Sequence, residues 1–387
     1  MDSQKLFKCI YYSAKYLALT SITIDFKTNQ IRKPTRWSTI IFIAIRIILL
    51  YSIIFFHKPL MGIPKLLELG HVLNFLQPVK HSSLTLAAVI LCINWTLCDV
   101  QNATHRMLKQ FFKVQQAIVK KIANSKILNT KKIQYLAISK FLLSFIDTLR
   151  DARSGFPELL AFDLKCFVFY AGCFLSLGAT LLVEICFMGF LVIEVYYQQM
   201  NAHLRRLADR LKLLDKRQCS RHVQMKVLCE AADELDDSGI ILSDIYRAAQ
   251  SFFSICQSIL FYSIFYNFFY ILVEFRERFY ENKNKGIFKW ECLVDVLPNL
   301  VNLLLFIFCA DKTVQRSRRI KLIEFDVICS GMDSRWDESV EMFLSRQNIE
   351  ELHVKVFGLF ELSKEFAMLL FSGGVTYLFC LIQLDNM

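Results

Sequence analysis

Seven stretches of this chain are apolar over a length close to a bilayer crossing, which leaves few architectures open. Thr39–Phe56, Ser82–Val100, Cys166–Tyr197, Ala249–Val273, Ile287–Ala310 and Phe366–Leu384 approach or exceed the ~20 residues that cover a hydrocarbon core about 30 Å thick. Ile133–Leu149 is the weaker seventh, because Lys140 and Asp147 interrupt it. The expectation is an all-α membrane protein with seven transmembrane helices. Of its 387 residues 55% are apolar and 14% aromatic, too greasy a balance for an ordinary soluble domain.

Charge sets the orientation. Alternate connections, starting with the segment before the first span, carry seven, eight, nine and nine Lys or Arg residues. The intervening ones carry three, three and four, with Lys289 at the start of the sixth span and none after the last. The positive-inside rule therefore puts the amino terminus in the cytoplasm and the carboxyl terminus outside. That is the reverse of a G-protein-coupled receptor. The net charge of +11 follows from the same bias, spread over four loops rather than gathered on one element, so it excludes a nucleic-acid patch as its explanation. No cleavable leader is expected before the first span, since Lys15 breaks Ile10–Ile24 and a basic cluster at Arg32, Lys33 and Arg36 follows.

Two connections carry their own helical signal. Gln198–Ala248 repeats Leu204, Leu207, Leu211 and Leu214 in its first half and Leu228, Ala232, Leu235 and Leu242 in its second, which predicts two helices continuing below the membrane. Asp311–Glu351 mixes charges of both signs and predicts a further cytoplasmic helix before the last span. The thirteen cysteines are scattered singly, so no disulfide framework is expected. With no CxxC, no HExxH and no ligand spacing among the seven His, neither a metal nor another cofactor is expected.

The last span, FAMLLFSGGVTYLFCLIQL, carries a narrow polar seam. At about 100° per residue, Ser372, Thr376, Cys380 and Gln383 share one stripe with Gly373 at its edge. A Gln in hydrocarbon is costly without a partner or a wet cavity, so the helix is expected to face a symmetry axis or a packed bundle. Small polar stripes also serve plain helix packing, and that reading stays open on the residues alone. Charges well inside the spans are few: Arg46, Glu184, Asp295 and the pair Lys140 and Asp147. They are expected to face protein or water, with Arg46 and Glu184 as one possible pair.

Thr376-Tyr377 followed by five apolar residues and Gln383 resembles the motif that ends the final helix of insect gustatory receptors. Gly358-Leu359-Phe360 resembles an element just before that helix, and Tyr196, Asn201 and Leu204 sit where the fourth helix of those receptors enters the cytoplasm. Leu384 departs from the Phe usual after the Gln.

The resemblance implies a ligand-gated cation channel in the plasma membrane of gustatory neurons, a homo- or hetero-tetramer with related subunits. It implies pore positions at Ser372, Thr376, Cys380 and Gln383, with Tyr377 and Gly358 in packing roles. Residues 1–38 are then a cytoplasmic amino-terminal segment and 39–310 a six-helix ligand-binding bundle with cytoplasmic extensions. Residues 311–365 are an anchor segment and 366–387 the pore helix with its short outer tail. A small-molecule tastant is expected among aromatic groups in the outer halves of the other helices: Tyr170, Phe174, Tyr262, Tyr266, Phe269 and Trp290. Leu378 stands where the sugar-sensing branch tends to carry an acidic residue, which favours a bitter or other aversive ligand over a sugar.

Two other functional classes compete. A metabotropic seven-helix receptor needs an outside amino terminus and finds no Asp-Arg-Tyr or Asn-Pro-x-x-Tyr element here. A multi-pass transporter draws on Glu184 and Asp295 but lacks an internal repeat and interrupted helices. No nucleophile, base and oxyanion grouping or phosphate-binding glycine loop can be assembled, so an enzyme is not expected.

Overall fold

The structure is a computed structural model that describes residues 3–16, 19–20, 22–26, 30–32, 35–56, 72–122, 135–144, 164–216, 220–285, 291–325, 328 and 331–384, with some side chains inside the helices left out of that description. Ten helices are described: α1 (Ser3–Tyr16), α2 (Arg36–Phe56), α3 (Val72–Val100), α4 (Ala103–Lys121), α5 (Tyr135–Ser144), α6 (Leu164–Lys216), α7 (Arg221–Lys285), α8 (Glu291–Arg318), α9 (Ser334–Ile349) and α10 (Lys364–Leu384). Two small antiparallel hairpins join them, β1 (Thr23–Asp25) with β2 (Gln30–Arg32) and β3 (Lys355–Val356) with β4 (Phe360–Glu361).

A described helix lies over each of the seven apolar runs, and the chain is an all-α membrane protein. Leu177–Leu214, Arg221–Phe275 and Val296–Leu322 are each long and apolar enough to cross a membrane, and α3 with α4 makes a fourth such stretch bent by 69°. Asn102 forms the joint in a left-handed conformation, φ 55°, which Asn tolerates because its short polar side chain bonds locally.

The frame is set by α6 with 53 residues and α7 with 65. At ~1.5 Å per residue they run for about 80 and 98 Å, far beyond a hydrocarbon core of about 30 Å. The leucine repeats explain the excess length. Leu204, Leu207 and Leu211 on α6 and Leu228, Ala232 and Leu235 on α7 are buried. Against α7 lies α9, the cytoplasmic helix expected within Asp311–Glu351. It buries Trp336, Val340 and Phe343, and Trp336 donates its indole N–H to the Ile328 carbonyl at 2.9 Å. Ion pairs rim this region: Lys113 with Asp244 at 2.9 Å, Lys121 with Asp237 at 2.5 Å, and Arg335 with Asp233.

The core between α6, α7 and α8 is aromatic. Phe190 stacks on Phe253 with ring centroids 5.3 Å apart and meets Phe252 and Phe306 edge-on at 5.6 and 5.8 Å. Phe111 of α4 closes the cluster against Phe252 at 5.9 Å. This packing requires a bare backbone at Gly189, where a Cβ would lie 2.2 Å from two Phe252 ring carbons.

The hairpins were not anticipated from the residues. In β3–β4 the turn carries two left-handed residues, Phe357 at φ 49° and Gly358 at φ 72°, and the Leu359 N–H donates to the Val356 carbonyl at 2.9 Å. The two positive φ values give the tight reversal of the three-residue connection between the paired Val356 and Phe360.

Gly189→Ala is expected to destabilise the bundle by about 1–3 kcal/mol, the range for overpacking a filled core. Fluorescence-detected thermal unfolding in detergent reads this as a lower midpoint. The double variant with Phe252→Leu should lose less than the two single costs added, since both changes act on one contact.

Candidate pore helix and ligand region

The final helix touches its own subunit along one narrow line. Ala367 and Gly374 are buried and Leu370 and Leu378 half-buried, a spacing that keeps all four on one face. That face meets α7 and α8, with Gly374 set against Phe268 and Leu272. Ser372, Thr376 and Gln383 point within about 20° of the opposite direction, and Cys380 about 60° from it, at 3.6 residues per turn. All four are exposed, as are Met368, Leu369, Phe371 and Phe379 between them. The polar seam thus turns away from the protomer that carries it.

Two seam hydroxyls are satisfied locally. Ser372 donates to the Leu369 carbonyl at 3.1 Å and Thr376 to the Ser372 carbonyl at 2.9 Å. Their remaining lone pairs face outward, so the wall they make is weakly polar and accepts hydrogen bonds. Tyr377 is beside the seam and is 46% exposed within the protomer. Gly358 forms the hairpin turn that precedes the helix, and a Cβ there would meet nothing within 4 Å. It is the φ of 72°, rather than crowding, that suits a glycine at this position.

The base of α10 is fixed by charge and ring contacts. Phe360 of β4 stacks on Phe366 with centroids 4.3 Å apart. Arg318, at the end of α8, pairs with Glu351 at 3.4 Å and Glu361 at 3.8 Å, while Lys321 reaches Glu351 at 3.6 Å. His353 lies 3.1 Å from Glu361. Lys321 first, then His353 and Arg318, hold the Glu351 carboxyl below the usual carboxylate range. The contribution of this group is therefore present near neutral pH and is lost as pH falls.

Inside the bundle, charges pair as membrane burial demands, though not as the residues alone indicated. Lys140 of α5 meets Glu184 of α6 at 3.1 Å with both side chains almost fully buried, and Ser144 donates to the same carboxylate at 2.5 Å. Arg46 pairs instead with Asp99 of α3 at 3.4 Å, supported by Thr96 at 3.2 Å. The Arg46 and Glu184 pairing is thus corrected: Arg46 meets Asp99, near the end of its span, and Glu184 meets Lys140. A third buried carboxylate, Glu194, is held by Lys312 at 2.5 Å and Arg316 at 3.7 Å, which ties α6 to the lower part of α8. Asp147 lies outside the described residues, as does the Asp295 side chain.

Of the six aromatic ligand-region positions, three are described with their side chains, all on α7. Tyr262 and Tyr266 rings lie 5.7 Å apart and are half-buried, with Tyr270 6.0 Å further along. Phe269 stacks on Phe265 at 5.6 Å in a second ladder that continues through Phe261 to Phe357. Trp290 and the side chains of Tyr170 and Phe174 lie outside the described residues. The run FYSIFYNFFY held the signal for both ladders, because aromatics four apart share a helix face. Buried amides at Asn267, Asn299 and Asn302, also missed, add polar groups to the same two helices.

The profile of the 7tm chemosensory receptor family matches residues 7–387. This chain belongs to that family. The receptor is 33% identical over 268 residues to the Drosophila melanogaster gustatory receptor for bitter taste 93a, a match covering 66% of this chain and 64% of that protein. It therefore spans just under two thirds of that relative. Putative gustatory receptor 93b of the same species is 24% identical over 294 residues, covering 75% of this chain and 70% of the relative.

Its fold is similar to that of the olfactory receptor OR5 from the insect Machilis hrabei. The TM-score is 0.65 at 12% identity, with 98% of each chain covered. The eugenol complex of OR5 gives 0.64 at 12% identity over 99% of this chain and all of that one.

Lys140→Met should destabilise the receptor by about 3–5 kcal/mol, because it strands the Glu184 carboxylate in a buried site. Lys140→Met combined with Glu184→Met should recover most of that loss. Thermal unfolding of the three variants checks the sign and the recovery.

Proposed function

We propose that the receptor is a subunit of a ligand-gated, non-selective cation channel that detects small organic tastants, bitter or aversive ones rather than sugars. The observation that carries this reading is the outward-facing seam of α10, which lies opposite the line by which that helix joins its own subunit. Turned to lipid, Gln383 would face hydrocarbon with no water to solvate its amide, at a cost of about 2–7 kcal/mol. Turned to copies around an axis, the same seam lines water. Four subunits, identical or related, would each give one α10 to that wall, with Thr376 and Gln383 as its polar groups and the helix ends of α6, α7 and α9 joining below the membrane.

In this reading the seven spans run from a cytoplasmic amino terminus to an outer carboxyl terminus, consistent with the excess of basic residues in alternate connections. The receptor resides in the plasma membrane of gustatory neurons. Ligand binds among the aromatics and amides of the outer bundle, including Tyr262, Tyr266 and Phe269 with Tyr170, Phe174 and Trp290, and shifts a closed to open equilibrium. The name of the bitter-taste relative supports the aversive assignment, and Leu378 stands against a sugar.

Whole-cell recording of the chain expressed alone and with related receptors, across a chemical panel and without added G protein, tests the channel itself. Thr376→Ala and Gln383→Ala are expected to change cation permeability ratios or gating while surface expression holds; unchanged permeation and gating in both would reject the pore assignment. Topology has its own check at Asn102, the first residue of the sequon Asn102-Ala103-Thr104. That site is expected to remain unglycosylated, and a glycosidase-sensitive mass shift lost in Asn102→Gln would invert the orientation.

A further inference from the structure

We propose that Gly374 is the seat of the pore helix: the bare backbone on which α10 rests against Phe268 of α7, and which sets how far the polar seam stands from the axis. The inference rests on the pore reading above and assigns a positioning residue within it. A Cβ at 374 would come to 3.2 Å from Phe268 Cε2, 3.5 Å from Leu272 Cδ2 and 3.6 Å from Phe268 Cζ. At the neighbouring Gly373 a Cβ would meet nothing within 4 Å. The two glycines therefore differ in kind, and only Gly374 is held to a neighbour's ring.

Which body yields when that contact is crowded follows from the packing. Phe268 is packed against the main core, and α7 is backed by α6, α8, α3 and α4. The opposing helix has no such backing, since Met368, Leu369, Phe371 and Phe379 are each more than 60% exposed in the protomer. Added volume at 374 therefore moves α10 and leaves α7 in place. The displacement has a defined direction, because Thr376 and Gln383 project from the far side of the helix, within about 20° of the line through Gly374. A push at the seat carries both toward the axis and narrows the conduit. Phe268 also adjoins Phe269 and lies one turn or less from Tyr266, so α7 carries the ligand region and the seat on one rigid element. A small rotation of α7 under a ligand would change the height of the ring beneath Gly374.

The exposed Cys380, on the seam side of α10, supplies a native probe. Full-length receptor in cell membranes is treated with copper phenanthroline, and the Cys380-dependent dimer is measured on non-reducing gels, with Cys380→Ser defining the background. Basal cation current is recorded in parallel, and surface expression is measured for each variant. Gly374→Val is expected to raise the dimer yield several-fold and lower the basal current by a similar factor. Phe268→Ala in the same chain should return both toward the parent values, because it removes the ring that pushes. Where Gly374→Val fails to reach the surface, Gly374→Ala gives the smaller push in the same two readouts.

Parental cross-linking and current in the Gly374 variants, or effects that persist undiminished with Phe268→Ala, would overturn the seat. Failure of the pore reading looks different: the parent chain itself gives no Cys380-dependent dimer, and Thr376→Ala and Gln383→Ala leave permeation untouched.

Discussion

Hydrocarbon does not solvate charge, and the interior of this receptor is organised around that constraint. Lys140 with Glu184 and Arg46 with Asp99 each join two helices through a pair buried from solvent, and the buried Glu194 joins two more through the partly exposed Lys312 and Arg316. Such pairs add little net stability over an apolar contact, but each fixes which helices meet and at what height. The aromatic cluster around Phe190 and Phe252 then fills the space those pairs define. At α10 the same constraint has no solution within one subunit, because its polar groups lie on the side that the protomer leaves open.

Much of this architecture is written in the residues. A bilayer imposes one length and helix geometry imposes one period, so the apolar runs and the leucine repeats of the long helix extensions could be placed without coordinates. The seam could be read as well, since it depends only on spacing along one helix. What could not be read was which face α10 gives to its own subunit. Ala367, Leu370, Gly374 and Leu378 look no more interior than their neighbours, and the packing of α10 on α7 and α8 selects them.

The pairing of buried charges was illegible for a related reason. Several carboxylates lay within plausible reach of Arg46, and the choice of Asp99 depends on how α2 and α3 are staggered. The hairpins escaped notice because strands of two or three residues carry no periodicity, although Gly358 marked the place of one turn. The expected role of Tyr377 as a packing anchor rests on resemblance, and within the protomer the residue is 46% exposed.

The narrow attachment of α10 has an evolutionary consequence. In the proposed assembly most of that helix's surface would be answerable to neighbouring chains and not to its own, so changes there would be tolerated or rejected according to what the co-assembled products carry. The aromatic walls of the proposed ligand region would be under no such joint constraint and could diversify one paralogue at a time. Compatibility between paralogues would then be recorded in the tail, and chemical preference upstream.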